Sequence, residues 1–189
     1  MDFVSGFPKG MKGSDAIWVI ADRLMKSALF LPIKMTDSVD KIAKMYINDA
    51  VWLHGIPVSI VSDQDPRFTS RLWPSIQHAL GTRLDVSIAF HPQTDGQSER
   101  VIQVLEDLLQ ACVLEFGGNW KEHITLVEFT YNNSHQTTLG MALYEFLYGR
   151  RCRTPLCWEE VGDQKLDGTE LVKVTMKKVR TIRDRIKAT

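Results

Sequence analysis

Continuous apolar runs and segments of helical period follow one another along the chain, and they predict its strands and helices. Apolar runs cover residues 2–4, 16–21 and 28–33, each closed by Gly, Pro or charged residues, as is typical of short buried strands. Their short connections predict an antiparallel meander. Two later runs, residues 58–61 and 83–90, predict a fourth and a fifth strand.

Helical spacing takes over after the third strand. Apolar residues recur at steps of three and four in segments that cover residues 38–54, 66–81, 101–116, 120–131 and 141–148. Ser38 is predicted to cap the first of these helices. Strands first, and then strands mixed with helices, predict an α/β fold around a central mixed sheet.

The pattern changes near the C-terminus. Residues 159–168 are polar and acidic, as expected of a linker. An apolar seam then predicts a helix, and its members are Val172, Thr175, Val179, Ile182 and Ile186. The predicted domain layout is a core at 1–158, a linker at 159–168 and the start of a C-terminal helix at 169–189, cut off at its end.

Composition is that of an ordinary globular protein. Its 189 residues suffice for one domain with a sizeable core, and 44% are hydrophobic and 24% charged. The 23 basic and 23 acidic residues balance, which counts against a general nucleic-acid binder, although basic residues cluster at 150–153 and 173–187. No stretch predicts a membrane span or a signal peptide, so we expect an intracellular protein.

Cysteine and tryptophan are predicted to have structural roles. The three cysteines do not make a disulfide framework, and Cys112 falls on the apolar side of a helix. A zinc site at Cys152 and Cys157 is disfavoured because no histidine pair lies nearby. We expect the core to hold most of the tryptophans at positions 52, 73, 120 and 158.

Three acidic residues stand where their side chains can converge. Asp2 lies in the first apolar run, Asp63 follows the fourth, and Glu99 lies where a polar loop enters a helical segment. The 35 residues 64–98 separate Asp63 from Glu99. Convergent carboxylates provide hard oxygen ligands, which Mg²⁺ and Mn²⁺ prefer. The pattern therefore indicates a divalent-ion site.

Five motifs make this pattern specific. They are MDFV, VSDQDPRFTS, FHPQTDGQSER, EFTYNNSHQTTLGMALYEFLYGR and RCRTPLCW. In this order they resemble the integrase catalytic core of gypsy-type long-terminal-repeat retrotransposons, especially plant ones, which is part of a Pol polyprotein. The resemblance runs from Asp2 to about Trp158. It implies a ribonuclease H-like fold, with a five-stranded mixed sheet and helices on both faces, to which the C-terminal helix is an extension.

The resemblance also implies the chemistry. Asp2, Asp63 and Glu99 would be both the catalytic triad and the ligands of two Mg²⁺ or Mn²⁺ ions in an in-line phosphoryl displacement. The implied reactions are 3′-end processing of the element's DNA and its strand transfer into target DNA. Double-stranded DNA, as element ends and as target, and further copies of the chain are the implied partners. Action in the nucleus is inferred from this chemistry, since no import signal stands out.

Further residues are candidates for DNA contacts. They belong to the loop before Glu99, the helix after it or the basic cluster, and are Thr94, Asp95, Gln97, Arg100, Gln103, Arg150, Arg151 and Arg153. Structural roles compete with some of them, because Thr94 and Gln97 have the spacing of a capping box. We also expect Asp65 to cap a helix before Pro66 and Asp22 to form a turn.

Two other functions remain open at this point. A non-catalytic retroelement remnant would keep the fold and act as a nucleic-acid or protein interaction module. A ribonuclease H-type nuclease would use similar carboxylates, usually four, on RNA in hybrids. Because Asp2 follows directly on Met1, we also expect a shortened first strand and a terminal amine near the ion site. These features would leave the chain weakly active or inactive as it stands.

Overall fold

The chain divides into two compact units. A computed structural model describes residues 1–8, 13–62, 65–69, 73–74, 78, 80–86, 92–137, 139–150 and 170–188. The first unit comprises residues 1–21 and 29–102, and the second comprises residues 22–28 and 103–189.

Strands and helices follow in an order that agrees with the predicted α/β class. In chain order the described elements are β1 (Asp2–Ser5), β2 (Ala16–Ala21), β3 (Ala28–Ile33), α1 (Val39–Met45), α2 (Trp52–His54), β4 (Ser59–Ser62), α3 (Pro66–Thr69), β5 (Arg83–Val86), α4 (Pro92–Phe116), α5 (Trp120–Asn132), β6 (His135–Gln136), β7 (Met141–Ala142), α6 (Leu143–Tyr148) and α7 (Glu170–Ala188). A π-helical stretch, Tyr46–Val51, joins α1 to α2. β2 and β3 have the predicted bounds.

Among the described residues the strands form separate small sheets. One sheet has the order β1-β2-β3, a second pairs β4 with β5, and β6 pairs with β7. β1 is antiparallel to β2, whereas β4 is parallel to β5. The five predicted strands are therefore present as three plus two rather than as one sheet. β1 and β4 are four residues long, so few ladder hydrogen bonds are available to join the two sheets.

Aromatic side chains dominate the core of the first unit. Trp18 of β2, Tyr46, Phe68 of α3 and Trp73 are all buried. Their ring centroids lie 5.2 to 6.1 Å apart in neighbouring pairs, within the range of favourable aromatic contacts. This cluster packs one face of the first sheet against the helical segments that follow it.

Local polar contacts confirm two of the predicted structural roles. The Ser38 hydroxyl oxygen accepts a hydrogen bond from the Lys41 backbone N–H (3.4 Å) and caps α1. Asp22 Oδ1 accepts from the N–H groups of Leu24 (2.7 Å) and Met25 (2.9 Å). Asp22 is thus the turn former that its position after β2 predicts.

The helix predicted at 141–148 is confirmed as α6, which begins two residues later because Met141 and Ala142 belong to the β6–β7 ladder. Trp52 is an exception to the core placement predicted for most of the tryptophans. Trp52 is 84% exposed, whereas Trp73 and Trp120 are buried as predicted. The π-helical stretch before Trp52 has more residues per turn than an α-helix, so it rotates Trp52 away from the apolar stripe. Trp158 lies outside the described residues.

Helices build the core of the second unit. α7 packs against α5, and two members of its predicted seam, Val179 and Ile182, are buried. Cys112 is buried as predicted, and burial raises the pKa of its thiol to about 11. Cys152 and Cys157 lie outside the described residues. None of the described helices is both long and apolar enough to cross a bilayer.

Candidate divalent-ion and nucleic-acid site

Asp2 lies in β1, and its carboxylate is mostly buried. It stands opposite Val19 of β2, and its side chain is 15% exposed. Its Oδ2 atom is buried and accepts no hydrogen bond within the described part of the chain. The Met1 amine nitrogen lies 3.9 Å from this oxygen. A buried carboxylate oxygen without a hydrogen bond is costly, and the amine at 3.9 Å offsets only part of that cost. A divalent cation at closer range would offset more of it, so Asp2 suits a metal ligand.

β4 leads to Asp63, the second predicted ligand. The terminal N–H of Met1 donates to the Val61 carbonyl oxygen at 2.6 Å, so the start of β1 meets the end of β4. Ser62, which precedes Asp63, is buried, and its hydroxyl oxygen has no hydrogen-bond partner within the residues described. Asp63 itself lies outside the described residues. The structure therefore brings the strand of Asp2 to the end of the strand before Asp63, and the position of the Asp63 side chain stays a prediction.

Glu99 is exposed on α4, but its place in the helix differs from the predicted one. α4 begins at Pro92, so Glu99 stands about two turns into the helix rather than at its start. Proline suits a first helical turn because that turn leaves its N–H groups unpaired. The helix therefore takes in residues predicted to form a loop, and Thr94 cannot be its N-cap.

The structure describes two of the three residues of the predicted triad. Asp2 and Glu99 both belong to the first unit, and Asp63 is not described. Outside the gaps in the description, no three His, Cys, Asp or Glu side chains form a cluster that could hold a metal ion. A donor set of carboxylate oxygens alone suits Mg²⁺ or Mn²⁺, and the buried Oδ2 of Asp2 fits such an ion.

Three of the candidate DNA-contact residues are on the surface. Arg100, Gln103 and Arg150 are exposed. Thr94, Asp95 and Gln97 lie in the first two turns of α4. Arg151 and Arg153 lie outside the described residues. The exposed members are available to phosphates, and their contact with DNA stays a prediction.

Part of the basic C-terminal tail has a structural role. The Lys177 ammonium lies 3.9 Å from a Glu115 carboxylate oxygen. Lys177 and Lys178 lie over the Phe116 ring, with nitrogen-to-centroid distances of 5.7 and 5.5 Å, as in cation–π contacts. These lysines hold α7 to the end of α4 within the second unit, which favours packing over phosphate binding for them.

Sequence reasoning missed one residue beside the site. Ser62 is 1% exposed and its hydroxyl oxygen has no hydrogen-bond partner in the described part of the chain. Its only sequence signal is its place between an apolar strand and Asp63. A polar atom at that point adds to the polar surroundings of the predicted ligands.

Comparison with known proteins identifies relatives of this chain. No protein-family model matches it. The Transposon Tf2-3 polyprotein of Schizosaccharomyces pombe is 32% identical over 148 residues, which are 78% of this chain and 11% of the polyprotein. The chain thus spans about a tenth of the length of the curated relatives it matches.

Solved integrase structures share its fold. The HTLV-2 integrase catalytic core domain, solved in complex with magnesium in a trimeric form, has a TM-score of 0.61 and 16% identity, covering 76% of this chain and 92% of that one. A chain of the simian T-cell lymphotropic virus intasome, solved with PP2A regulatory subunit B56 gamma, has a TM-score of 0.64 and 17% identity. The matched region covers 81% of this chain and 56% of the intasome chain.

These likenesses agree with the arrangement of the described elements. The integrase cores imply a ribonuclease H-like α/β fold, and the antiparallel β1–β2 pair, the parallel β4–β5 pair and the intervening helices are consistent with it. The polyprotein relative adds a sequence match over most of the chain. The chain belongs to the integrase catalytic cores of long-terminal-repeat retrotransposons.

Proposed function

We propose that this chain is the catalytic core of a gypsy-type integrase, which inserts element DNA into target DNA by metal-dependent polynucleotidyl transfer. Asp2, Asp63 and Glu99 are its catalytic and metal-binding residues. The observation that carries the proposal is the buried Asp2 Oδ2, which accepts no hydrogen bond within the described residues, on the strand whose start meets the end of β4. A purely structural aspartate at this depth would be expected to accept hydrogen bonds.

The chain's own part in the reaction is to hold carboxylates in a fixed arrangement. Asp2 is held by a strand paired to β2, and Glu99 by the interior of a long helix. Regular elements position ligands more rigidly than loops do. When bound, two divalent cations supply Lewis-acid stabilisation of the attacking and leaving oxygens. The exposure of Glu99 leaves its carboxylate open to an ion and to DNA.

Exposed basic and polar side chains provide the DNA contacts in this proposal. Arg100, Gln103 and Arg150 are exposed, and Arg151 and Arg153 extend the cluster in sequence. Since the chain has no net charge, binding depends on such local groups and should weaken as salt rises.

Assembly and architecture complete the proposal. The trimeric form of the HTLV-2 core and the intasome of the simian virus support self-association of this chain. Element ends and target DNA are its DNA partners in this proposal, and the nucleus is its place of action. The hydrogen bond from Met1 N to Val61 O supports β1 and β4 as neighbours in one five-stranded sheet with helices on both faces. Residues 1–158 form the core in this proposal, and α7 begins a C-terminal extension.

Nicking and strand transfer on a labelled DNA duplex test the proposal. We expect product only with Mg²⁺ or Mn²⁺, and a loss of about a hundredfold or more in Asp63→Asn and in Glu99→Gln, since each weakens a carboxylate ligand of the ions that would stabilise the reacting phosphate. Glu106→Gln is the matched control, because Glu106 is exposed on the same helix and outside the triad. Full activity in Glu99→Gln, or product formed without either ion, would count against the proposal.

A further inference from the structure

One aromatic stack joins the two segments that carry the first two predicted ligands. Phe3, which follows Asp2 in β1, lies face to face with Phe68 of α3. The ring centroids are 4.7 Å apart and the planes differ by 11°. α3 is the helix that follows Asp63 in the sequence. The stack therefore connects the strand of Asp2 with the helix after Asp63.

The stack is anchored on both sides by the aromatic core. Trp18 is opposite Phe3 in the β1–β2 ladder, and its ring lies 5.6 Å from Phe3 and 6.0 Å from Phe68. Trp73 meets the Phe68 ring edge-on at 5.5 Å. Trp18, Phe68 and Trp73 are each at most 1% exposed. Because well-packed interiors leave little free space, the Phe68 ring cannot shift without displacing its neighbours, and the partly buried Phe3 ring packs against it.

The position of Phe3 fixes the direction of Asp2. Successive side chains of a strand point to opposite faces, so a strand whose Phe3 packs against the core presents Asp2 on the other face. The Met1 N–H bond to the Val61 carbonyl (2.6 Å) attaches the same end of β1 to β4. β1 is thus attached to both elements that flank Asp63 in sequence, through its backbone to β4 and through Phe3 to α3.

We propose that Phe3 and Phe68 are a positioning pair, which sets the distance between the Asp2 carboxylate and the segment of Asp63 and so determines the affinity for divalent ions. Neither ring touches an ion or DNA in this role. The proposal rests on the proposed function, because it assumes that Asp2 and Asp63 share an ion. It predicts an effect on ion binding that exceeds the effect of an equally buried residue elsewhere in the same core.

Mn²⁺ binding, measured by electron paramagnetic resonance, tests the pair without relying on turnover. The variants are Phe3→Ala, Phe68→Ala and the double variant, all measured at a temperature at which circular dichroism shows them folded. Ile33→Ala is the matched control, because Ile33 is 1% exposed in the same core cluster but lies in β3. We expect each single variant to weaken Mn²⁺ binding roughly tenfold, the low end of the effect of removing groups that orient metal ligands.

The double variant distinguishes positioning from general loosening of the core. If the two rings act only through each other, the double variant should bind Mn²⁺ within about twofold of the weaker single variant, and Ile33→Ala within about twofold of the parent chain. If Phe3→Ala does not fold, Phe3→Leu replaces it, because leucine keeps apolar volume but cannot stack on Phe68. We expect its Mn²⁺ affinity to be about threefold weaker than that of the parent chain.

Four outcomes would overturn the pairing. Folded Phe3→Ala and Phe68→Ala that bind Mn²⁺ like the parent chain would overturn it, and so would an Ile33→Ala variant that loses as much as they do. Both results leave the proposed function standing, provided that Asp2→Asn loses Mn²⁺ binding. A parent chain that binds no Mn²⁺, or an Asp2→Asn variant that binds it as tightly as the parent, would overturn the ion site itself and the pairing with it.

Discussion

Replacing Asp2 by asparagine should stabilise the ion-free protein and abolish its response to divalent ions. Asp2 Oδ2 is buried and accepts no hydrogen bond within the described part of the chain, so the carboxylate charge is poorly solvated. Asparagine has nearly the same shape and carries no charge. A residue kept for ion binding at the expense of stability should show this trade-off.

The size of the effect follows from the surroundings of Asp2. A buried polar group without a hydrogen bond costs about 1–3 kcal/mol, and more when it is charged, so asparagine removes only the extra cost of the charge. The 15% exposure of the side chain and the Met1 amine at 3.9 Å both reduce that cost, which leaves about 1 kcal/mol at the low end of the range. For a domain of this length, 1 kcal/mol corresponds to about 2–4 °C in melting temperature. Mg²⁺ at a hundred times its Kd should stabilise the parent chain by about 2.7 kcal/mol.

Thermal unfolding in EDTA and in Mg²⁺ measures both effects. We expect Asp2→Asn to melt about 2–4 °C above the parent chain in EDTA and to gain nothing from Mg²⁺. Asp22→Asn is the control, because Asp22 accepts two backbone hydrogen bonds and its neutralisation should lower the melting temperature. An Asp2→Asn variant that melts below the parent in EDTA, or gains as much from Mg²⁺ as the parent does, would refute this reasoning.

Three further predictions concern the second unit, and urea unfolding followed by circular dichroism measures each. Ile182→Ala should lower the free energy of unfolding by about 2–4 kcal/mol, because Ile182 is 1% exposed. Its control is Val174→Ala, at a 41% exposed site of the same helix, which should change that free energy by less than about 0.5 kcal/mol. Equal losses in the two variants would contradict the packing of α7. Asn132→Ala should lower the free energy of unfolding by about 2–3 kcal/mol. The Asn132 side chain accepts a hydrogen bond from the Ala28 N–H (3.0 Å) and donates one to the Ala28 carbonyl oxygen (2.8 Å). A change near zero would contradict the importance of these two bonds. Burial raises the pKa of Cys112 from 9.0 to about 11, so the folded state holds this proton more tightly. Its contribution to stability is present below pH 9 and lost as the pH rises through 11. A Cys112→Ala variant that loses as much stability as the parent chain between pH 9 and pH 11 would contradict this role of Cys112.

Local structure could be predicted from the sequence where it depends on neighbouring residues. β2 and β3 are short apolar runs between polar turns, and both have the predicted bounds. The Ser38 cap and the Asp22 turn use side chains that reach N–H groups two or three residues away, so the sequence alone contains the information. The start of α4 was less predictable because Pro92, Thr94 and Gln97 are compatible with both a loop and a first helical turn.

Features that join distant residues could not be predicted in the same way. The buried state of Asp2 Oδ2 and the stack of Phe3 on Phe68 depend on how β1 meets β4 and α3, and no local pattern encodes that meeting. The exposure of Trp52 depends on the π-helical stretch before it, which leaves no clear mark in apolar spacing. For the candidate site, the types of the residues and their order along the chain could be predicted from the sequence. The burial of their side chains and the residues around them could be seen only in the folded structure.

The most direct measurement is a crystal structure of this chain soaked in Mn²⁺, with anomalous scattering used to locate the ions. We predict two Mn²⁺ peaks about 4 Å apart, held by the carboxylates of Asp2, Asp63 and Glu99, with Asp2 Oδ2 as a direct ligand. The Glu99→Gln variant should lose at least one of the two peaks. Mn²⁺ bound only at other residues, or an Asp2 carboxylate turned away from an occupied site, would contradict the account.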